Sequence, residues 1–377
     1  MAAIPGVAAF HVRARGGISR IGARRIAGYD ATVLVSEFDF VLPPERIATA
    51  AAEPRDHARL LVHDRRHGTQ EHVQVKDLGR FLRAGDLLVL NDTRVLPWRL
   101  RGRRATGGGV ECLLVRLDGD VGEAFVKPSK KLRVGDVVPM EGGAIGLALR
   151  ESLGGGRWSV ALLAREGTVA QALERCGRAP LPPYIDRDGD EDVHKDRARY
   201  QTVFARTPGA IAAPTAGLHF TPELLAALQA GGVELAWVTL HVGEGTFAPL
   251  RATVVEEHRM HAERYELPAA TAAAVASTKA RGGRVVAVGT TSCRTLETCA
   301  ADDGTIRAGS GASDLFLYPG RRFRVVDALL TNFHLPQSTL LMLVAAFAGR
   351  EPILAVYRDA IERGYRFYSF GDAMLIT

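Results

Sequence analysis

Two histidines stand where the chain turns to small or hydroxyl-bearing residues after an apolar run. His219 closes APTAGLH (213–219), just before a helix start marked by Thr221 and Pro222. A threonine cap and a proline in the first turn suit such a start. The small residues ahead of it, Thr215 among them, let a ligand approach the backbone, or simply let a helix pack closely on a sheet. His241 opens HVGEGTF after the strand-like VELAWVTL. His258, His261 and Glu263 follow within EEHRMHAERY. Imidazoles and a carboxylate are groups that move protons near neutral pH. Their spacing is not that of an HExxH helix, and a zinc site needs at least three protein ligands, so no metal is expected.

A second set of residues suits an anion. In VGTTSCRTLE a strand is expected to end at Gly289, with Thr290, Thr291 and Ser292 ahead of a helix that carries Arg294. Hydroxyls and free N–H groups at a helix start can hold a carboxylate or phosphate, and Arg294 can add a two-pronged bond. Plain capping with a surface arginine is the alternative. LVLNDTRVLPWRL sets Asn91, Asp92 and Arg94 between two strands, TNFHLPQST puts His334 in a turn, and YRFYSFGDAMLI holds Asp372 among aromatics that are either core or base-stacking. Neither a Walker loop nor a GxGxxG fingerprint is present.

The elements around these loops follow from pattern. From residue 209 onward strand-like runs alternate with helices, which argues for an α/β layer with a parallel or mixed sheet. VELAWVTL, RVVAVG and FRVVDALL read as strands, and PAATAAAVASTKA, RTLETCA and STLLMLVAAFAG as helices. In open α/β sheets ligands bind beyond the carboxyl ends of the strands, so parallel strands would bring the chemical loops to one crevice. Residues 85–164 have another texture: short β runs between Gly and Asp turns, the pattern of a small barrel. That stretch carries Arg94, Lys127, Lys130 and Lys131 among other cations, a surface that tracks RNA backbone or is merely solvated. The expected division is a basic, disordered extension at 1–32, a discontinuous α/β domain at 33–84 and 165–377, and an inserted barrel at 85–164.

Composition bounds the class. Hydrophobic residues make up 47% of the 377, enough for a real core. No apolar run reaches the roughly 20 residues of a membrane span. Cys112, Cys176, Cys293 and Cys299 are scattered, so reduced thiols in a cytoplasmic protein are expected. The net charge of +6 is compatible with a nucleic-acid partner.

Taken together, FDFVLPPERIA, GDLLVLNDTRVLPWRL, VKPSKKL, AAPTAGLHFT, TLHVGEGTF, HRMHAERYEL, VGTTSCRTLE, LLTNFHLPQSTLLMLV and YRFYSFGDAMLI resemble the S-adenosylmethionine:tRNA ribosyltransferase-isomerase family of queuosine biosynthesis. The resemblance runs from about residue 33 to the end. Trp98, Glu244 and Cys293 depart from the family's usual pattern. It implies an α/β domain interrupted by a small barrel. It also implies transfer and isomerisation of the ribosyl part of S-adenosylmethionine onto 7-aminomethyl-7-deazaguanine at the wobble position of tRNAs with GUN anticodons. Epoxyqueuosine-tRNA, adenine and methionine result, with no prosthetic group and no metal. On that reading His219, His241, His261 and Glu263 are candidates for proton traffic. Thr215, Thr290, Thr291, Ser292, Arg294 and Asp372 are candidates for holding S-adenosylmethionine. Asp92, Arg94, Lys127, Lys130 and Lys131 are candidates for holding the tRNA substrate. A monomer is expected. A non-catalytic tRNA-binding protein and an ordinary methyltransferase are the competing classes, and the absent glycine fingerprint counts against the second.

Overall fold

A computed structural model describes residues 32–185, 193–247, 250 and 252–377. The basic extension expected at 1–32, apart from Thr32, and the acidic stretch 186–192 lie outside the described residues. The centre is a nine-stranded mixed sheet joined to a closed six-stranded antiparallel barrel.

Four neighbouring strands of the sheet run parallel: Glu234–Leu240, Leu87–Asn91, Val285–Val288 and Ala328–Asn332. Leu87–Asn91 is buried at every position, and so is Val285–Val288. Unbroken apolar runs of this kind belong to strands covered on both faces. Side chains alternate between the two cores. Leu87 and Val89 pack with the helices Gly289–Cys299, Thr339–Ala348 and Arg350–Glu362, whereas Leu88 and Leu90 pack under the helix Pro222–Ala230. Beyond Ala328–Asn332 comes the antiparallel strand Ala373–Ile376, followed by Arg59–Asp64.

The inserted segment therefore begins later than its texture indicates. Leu87–Asn91 lies in the middle of the main sheet, and Thr93–Val95 pairs with Thr207–Ala210 in a separate two-stranded ribbon. The barrel strands run from Arg99–Arg103 to Arg157–Ala164. Non-alternating burial is what separates Leu87–Asn91 from the barrel strands, which alternate as in Gly109–Asp118. A second shift concerns FRVVDALL. Val325 and Val326 do not join the strand, because their N–H groups donate to the buried Glu297 carboxylate at 3.0 and 2.9 Å.

The barrel closes through a single residue pair on one seam, Gly102 with Met140. A β-carbon on Gly102 would lie 2.4 Å from the Pro139 carbonyl oxygen, so only glycine allows this approach. Gly102→Ala should destabilise the protein by about 1–3 kcal/mol in urea denaturation. Gly109→Ala, whose added carbon meets nothing within 4 Å, should leave the midpoint near wild type.

Candidate active site

The four parallel strands end on one edge, and their polar residues meet there. Asn91 locks two of the ends together: its amide donates to the Leu240 carbonyl at 3.0 Å, and its Oδ1 accepts from the N–H groups of Leu240 and Thr93. Thr93 then meets His241 Nδ1 through its hydroxyl at 2.8 Å. Gly209 packs against the other side of that ring, where a β-carbon would lie 2.6 Å from His241 Cε1. His241 is half-buried, with burial and Arg264 pulling its pKa down while Asp92 and Glu266 oppose them.

Further along the edge, Val288 runs straight into the helix Gly289–Cys299, and Gly289 makes the turn at a φ of 85°. Thr290, Thr291 and Ser292 thus lie within the first turns of the helix rather than ahead of it. No side chain caps this start. The hydroxyls of Thr291 and Ser292 are buried without a protein partner. The 3-10 turn Thr215–His219 lies over this helix start, with Ala216 facing Gly289. Asn332, at the end of the next strand, donates from Nδ2 to the Tyr368 carbonyl at 3.1 Å and to His219 Nε2 at 3.3 Å, while its own Oδ1 is left without a partner. The Tyr368 bond fixes the amide's orientation, so His219 Nε2 is the acceptor and Nδ1 carries the proton. Burial pushes His219 down to about 4, Arg366 and Arg55 push the same way, and Asp372 opposes them. Buried polar atoms are nearly always satisfied, so a cluster of orphaned ones marks a place for a ligand or water.

Several candidates take other places. Arg294 is buried and engaged within the protein: it pairs with Glu263 and donates to the carbonyls of Leu315 and Ser313. Glu263 accepts in addition from the Gly243 N–H at 3.0 Å, so the pair grips the loop that begins at His241. This pairing is invisible from the helix-start pattern alone. Asp372 accepts from the N–H groups of Arg59 and Arg366 and from the Arg366 guanidinium. It ties strand ends together while lending its charge to His219. Asp92 binds the Thr239 hydroxyl at 2.7 Å and Arg206 at 3.0 Å. His261 is exposed and lies against Gly245. Arg94 is partly exposed at the exit toward the barrel, and Lys127, Lys130 and Lys131 are exposed around the turn Ser129–Lys131 on the barrel. Glu244 meets Arg157 of the barrel at 2.9 Å. Cys293 is fully buried with its thiol pKa raised, an inert core group. Asn332 escaped the sequence reading. Its signal was a polar residue closing an otherwise apolar strand in LLTNFH.

Among the described residues no group of three His, Cys, Asp or Glu side chains is arranged to hold a metal ion, and no single helix is long and apolar enough to cross a membrane.

A family model described as queuosine biosynthesis protein matches residues 35–376. The chain belongs to this family. Relatives named S-adenosylmethionine:tRNA ribosyltransferase-isomerase include that of Pelobacter propionicus, 53% identical over 91% of this chain and 100% of the relative. That of Acidithiobacillus ferrooxidans is 56% identical over 90% and 97%. A crystal structure of an S-adenosylmethionine tRNA ribosyltransferase from Thermotoga maritima is 37% identical, covers 91% of this chain and 100% of that one, and superposes with a TM-score of 0.52. The queuosine biosynthesis family is a family of enzymes, which sets the non-catalytic reading aside.

The burial of His219 has a consequence for stability. Its folded pKa lies below the unfolded value, so between about 6.5 and about 4 the unfolded chain binds a proton that the folded chain does not. Stability must therefore fall as pH drops through that window. His219→Gln should flatten the pH dependence of unfolding free energy there, by up to about 1.4 kcal/mol per pH unit. An unchanged slope would mean that His219 is not buried neutral.

Proposed function

We propose that this enzyme moves the ribosyl group of S-adenosylmethionine onto 7-aminomethyl-7-deazaguanine at the wobble position of tRNAs with GUN anticodons. It isomerises that group to the epoxycyclopentane of epoxyqueuosine and releases adenine and methionine. The observation that carries this reading is the set of orphaned polar atoms at the carboxyl edge of the parallel strands, Asn332 Oδ1 beside His219 and the hydroxyls of Thr291 and Ser292 at the helix start, in a chain of this family. S-adenosylmethionine is a substrate on this reading, with no metal and no prosthetic group. The enzyme works as a monomer in the cytoplasm, and the barrel at 99–164 is an inserted domain that faces RNA with Lys127, Lys130 and Lys131.

The chemistry makes three demands. A sulfonium acidifies the neighbouring C5′ proton, and a placed base must take it. The substrate amine must be neutral to attack C1′, and adenine must leave with a proton. His219, pushed down to about 4, is neutral at neutral pH and a weak base. It suits a hydrogen-bonding role toward the nucleoside. His241, held on its Nδ1 by Thr93 and with Asp92 in electrostatic range, is the better proton acceptor through Nε2. The uncapped helix start at Gly289, with the hydroxyls of Thr290, Thr291 and Ser292, suits the methionine carboxylate. Thr215 lies in the turn above it. Arg294, Glu263 and Asp372 act through the loops they hold. The recess beside His219 has a volume of only about 10 Å³, closed by Ala51, Ala52 and the 369–371 segment. As it stands this recess is too small to admit a nucleoside.

Incubation with S-adenosylmethionine and precursor-bearing tRNA should yield free adenine and a wobble nucleoside heavier by the transferred group, read by mass spectrometry. Methylated RNA, or binding without turnover, would overturn the reading. His241→Ala should lower kcat by about 100-fold or more while S-adenosylmethionine still binds. Near-normal turnover would remove His241 from the proton path.

A further inference from the structure

A cavity of about 350 Å³ opens at the root of the barrel, apart from the His219 recess. Residues 94–97, on the way into the barrel, form one wall, and Ala179, on the way back, forms another. The remaining wall is the end of the helix Val193–Arg199 and the residues that follow it. This wall is stiff. The Gln201 side chain is locked on Val95, donating to its carbonyl at 3.2 Å and accepting from its N–H at 3.1 Å. Thr202 packs its methyl against Gly217, and its buried hydroxyl has no partner in the protein. A volume near 350 Å³ is at the lower end of ligand pockets, the size of one nucleotide rather than of an RNA stem.

Three arginines line it: Arg55, Arg94 and Arg197. Arg94 and Arg197 share one carboxylate, Glu174, at 3.2 and 2.8 Å. Arg55 directs its guanidinium at two neutral acceptors, the carbonyls of Gln201 at 2.6 Å and Ala198 at 2.7 Å. Three cations thus line the space, and among the described residues Glu174 is the carboxylate paired with two of them. A recess walled by cations attracts an anion, and guanidinium forks match phosphate oxygens in pairs. Arg55 also lines the recess beside His219, so an anion held here lies one side chain away from that edge.

We propose that this cavity binds a backbone phosphate of the tRNA, that of the nucleotide next to the one presented at the His219 edge. Arg55 and Arg197 join Arg94 as its donors. The proposal rests on the ribosyl-transfer reading for the identity of the RNA. It moves the principal anchor from the outer face of the barrel to the junction where the barrel leaves the sheet.

The test is binding of a precursor-bearing anticodon stem-loop to the full chain over a range of salt concentrations, for wild type, Arg94→Gln and Arg197→Gln. Removing one cation from a single-stranded phosphate makes the slope of log K against log salt shallower by about 0.7. Each variant should show that change and should bind stem-loops of differing sequence more weakly by the same factor, with S-adenosylmethionine affinity unchanged. Arg94 is partly exposed, so its replacement is compatible with the fold. Wild-type slopes in both variants would overturn the proposal. So would variants that weaken only S-adenosylmethionine, because the cations would then serve the methionine carboxylate. A wild-type enzyme that binds the stem-loop with this slope but forms no adenine would instead sink the ribosyl-transfer reading and leave the phosphate site standing.

Discussion

Four strands run the same way and stop at one edge, and their register places Asn91, His241, the helix start at Gly289 and Asn332. Parallel pairing puts Leu240, Asn91, Val288 and Asn332 at the same end of the sheet. The next residue in each case belongs to a loop or helix start with polar character. Because the strands are covered on both faces, their apolar side chains resist slippage, and a slip by one residue would turn the whole edge over. The stability of the core is therefore also the precision of the site. Asn91 adds to it locally by bridging two strand ends with three hydrogen bonds.

Burial at this edge has an electrostatic result. His219 loses its proton readily because an imidazolium there would be poorly solvated and would face Arg55 and Arg366. A cationic sulfonium approaching such a site meets a neutral ring rather than a repelling charge. The same edge keeps its strong charges paired. Arg294 with Glu263, and Asp372 with Arg366, are anchored among backbone donors and carbonyls. Breaking a buried pair leaves an uncompensated charge, which is costlier than losing both partners. On the proposed reading these residues act through the loops they hold.

Much of this was legible in the chain. Alternating β and α texture from residue 209 foretold the layered sheet, and the turn-rich stretch foretold the barrel. Ser338 caps Thr339–Ala348 and Thr221 caps Pro222–Ala230 as their sequences indicate. Two kinds of feature were not legible. One is the assignment of Leu87–Asn91, where unbroken burial rather than proximity to barrel strands carries the information. The other is the partner of a charged side chain. Arg294 reads as an exposed fork because its counter-charge, Glu263, is 31 residues away in the sequence. Arg55 and Arg197 lie 142 residues apart yet line one cavity. Such meetings are set by topology, which local spacing does not encode.

The central claim is that one substrate nucleoside is held at the carboxyl edge, between the helix start at Gly289 and the turn that carries His219. A structure of the enzyme with S-adenosylmethionine and an anticodon stem-loop tests it most directly. The account predicts the methionine carboxylate against the N–H groups and hydroxyls of Thr291 and Ser292, the ribose within reach of His241, and the wall at 369–371 displaced. Density for the nucleoside on the barrel, or on any face that leaves Thr291, Ser292 and Asn332 Oδ1 without partners, would contradict it.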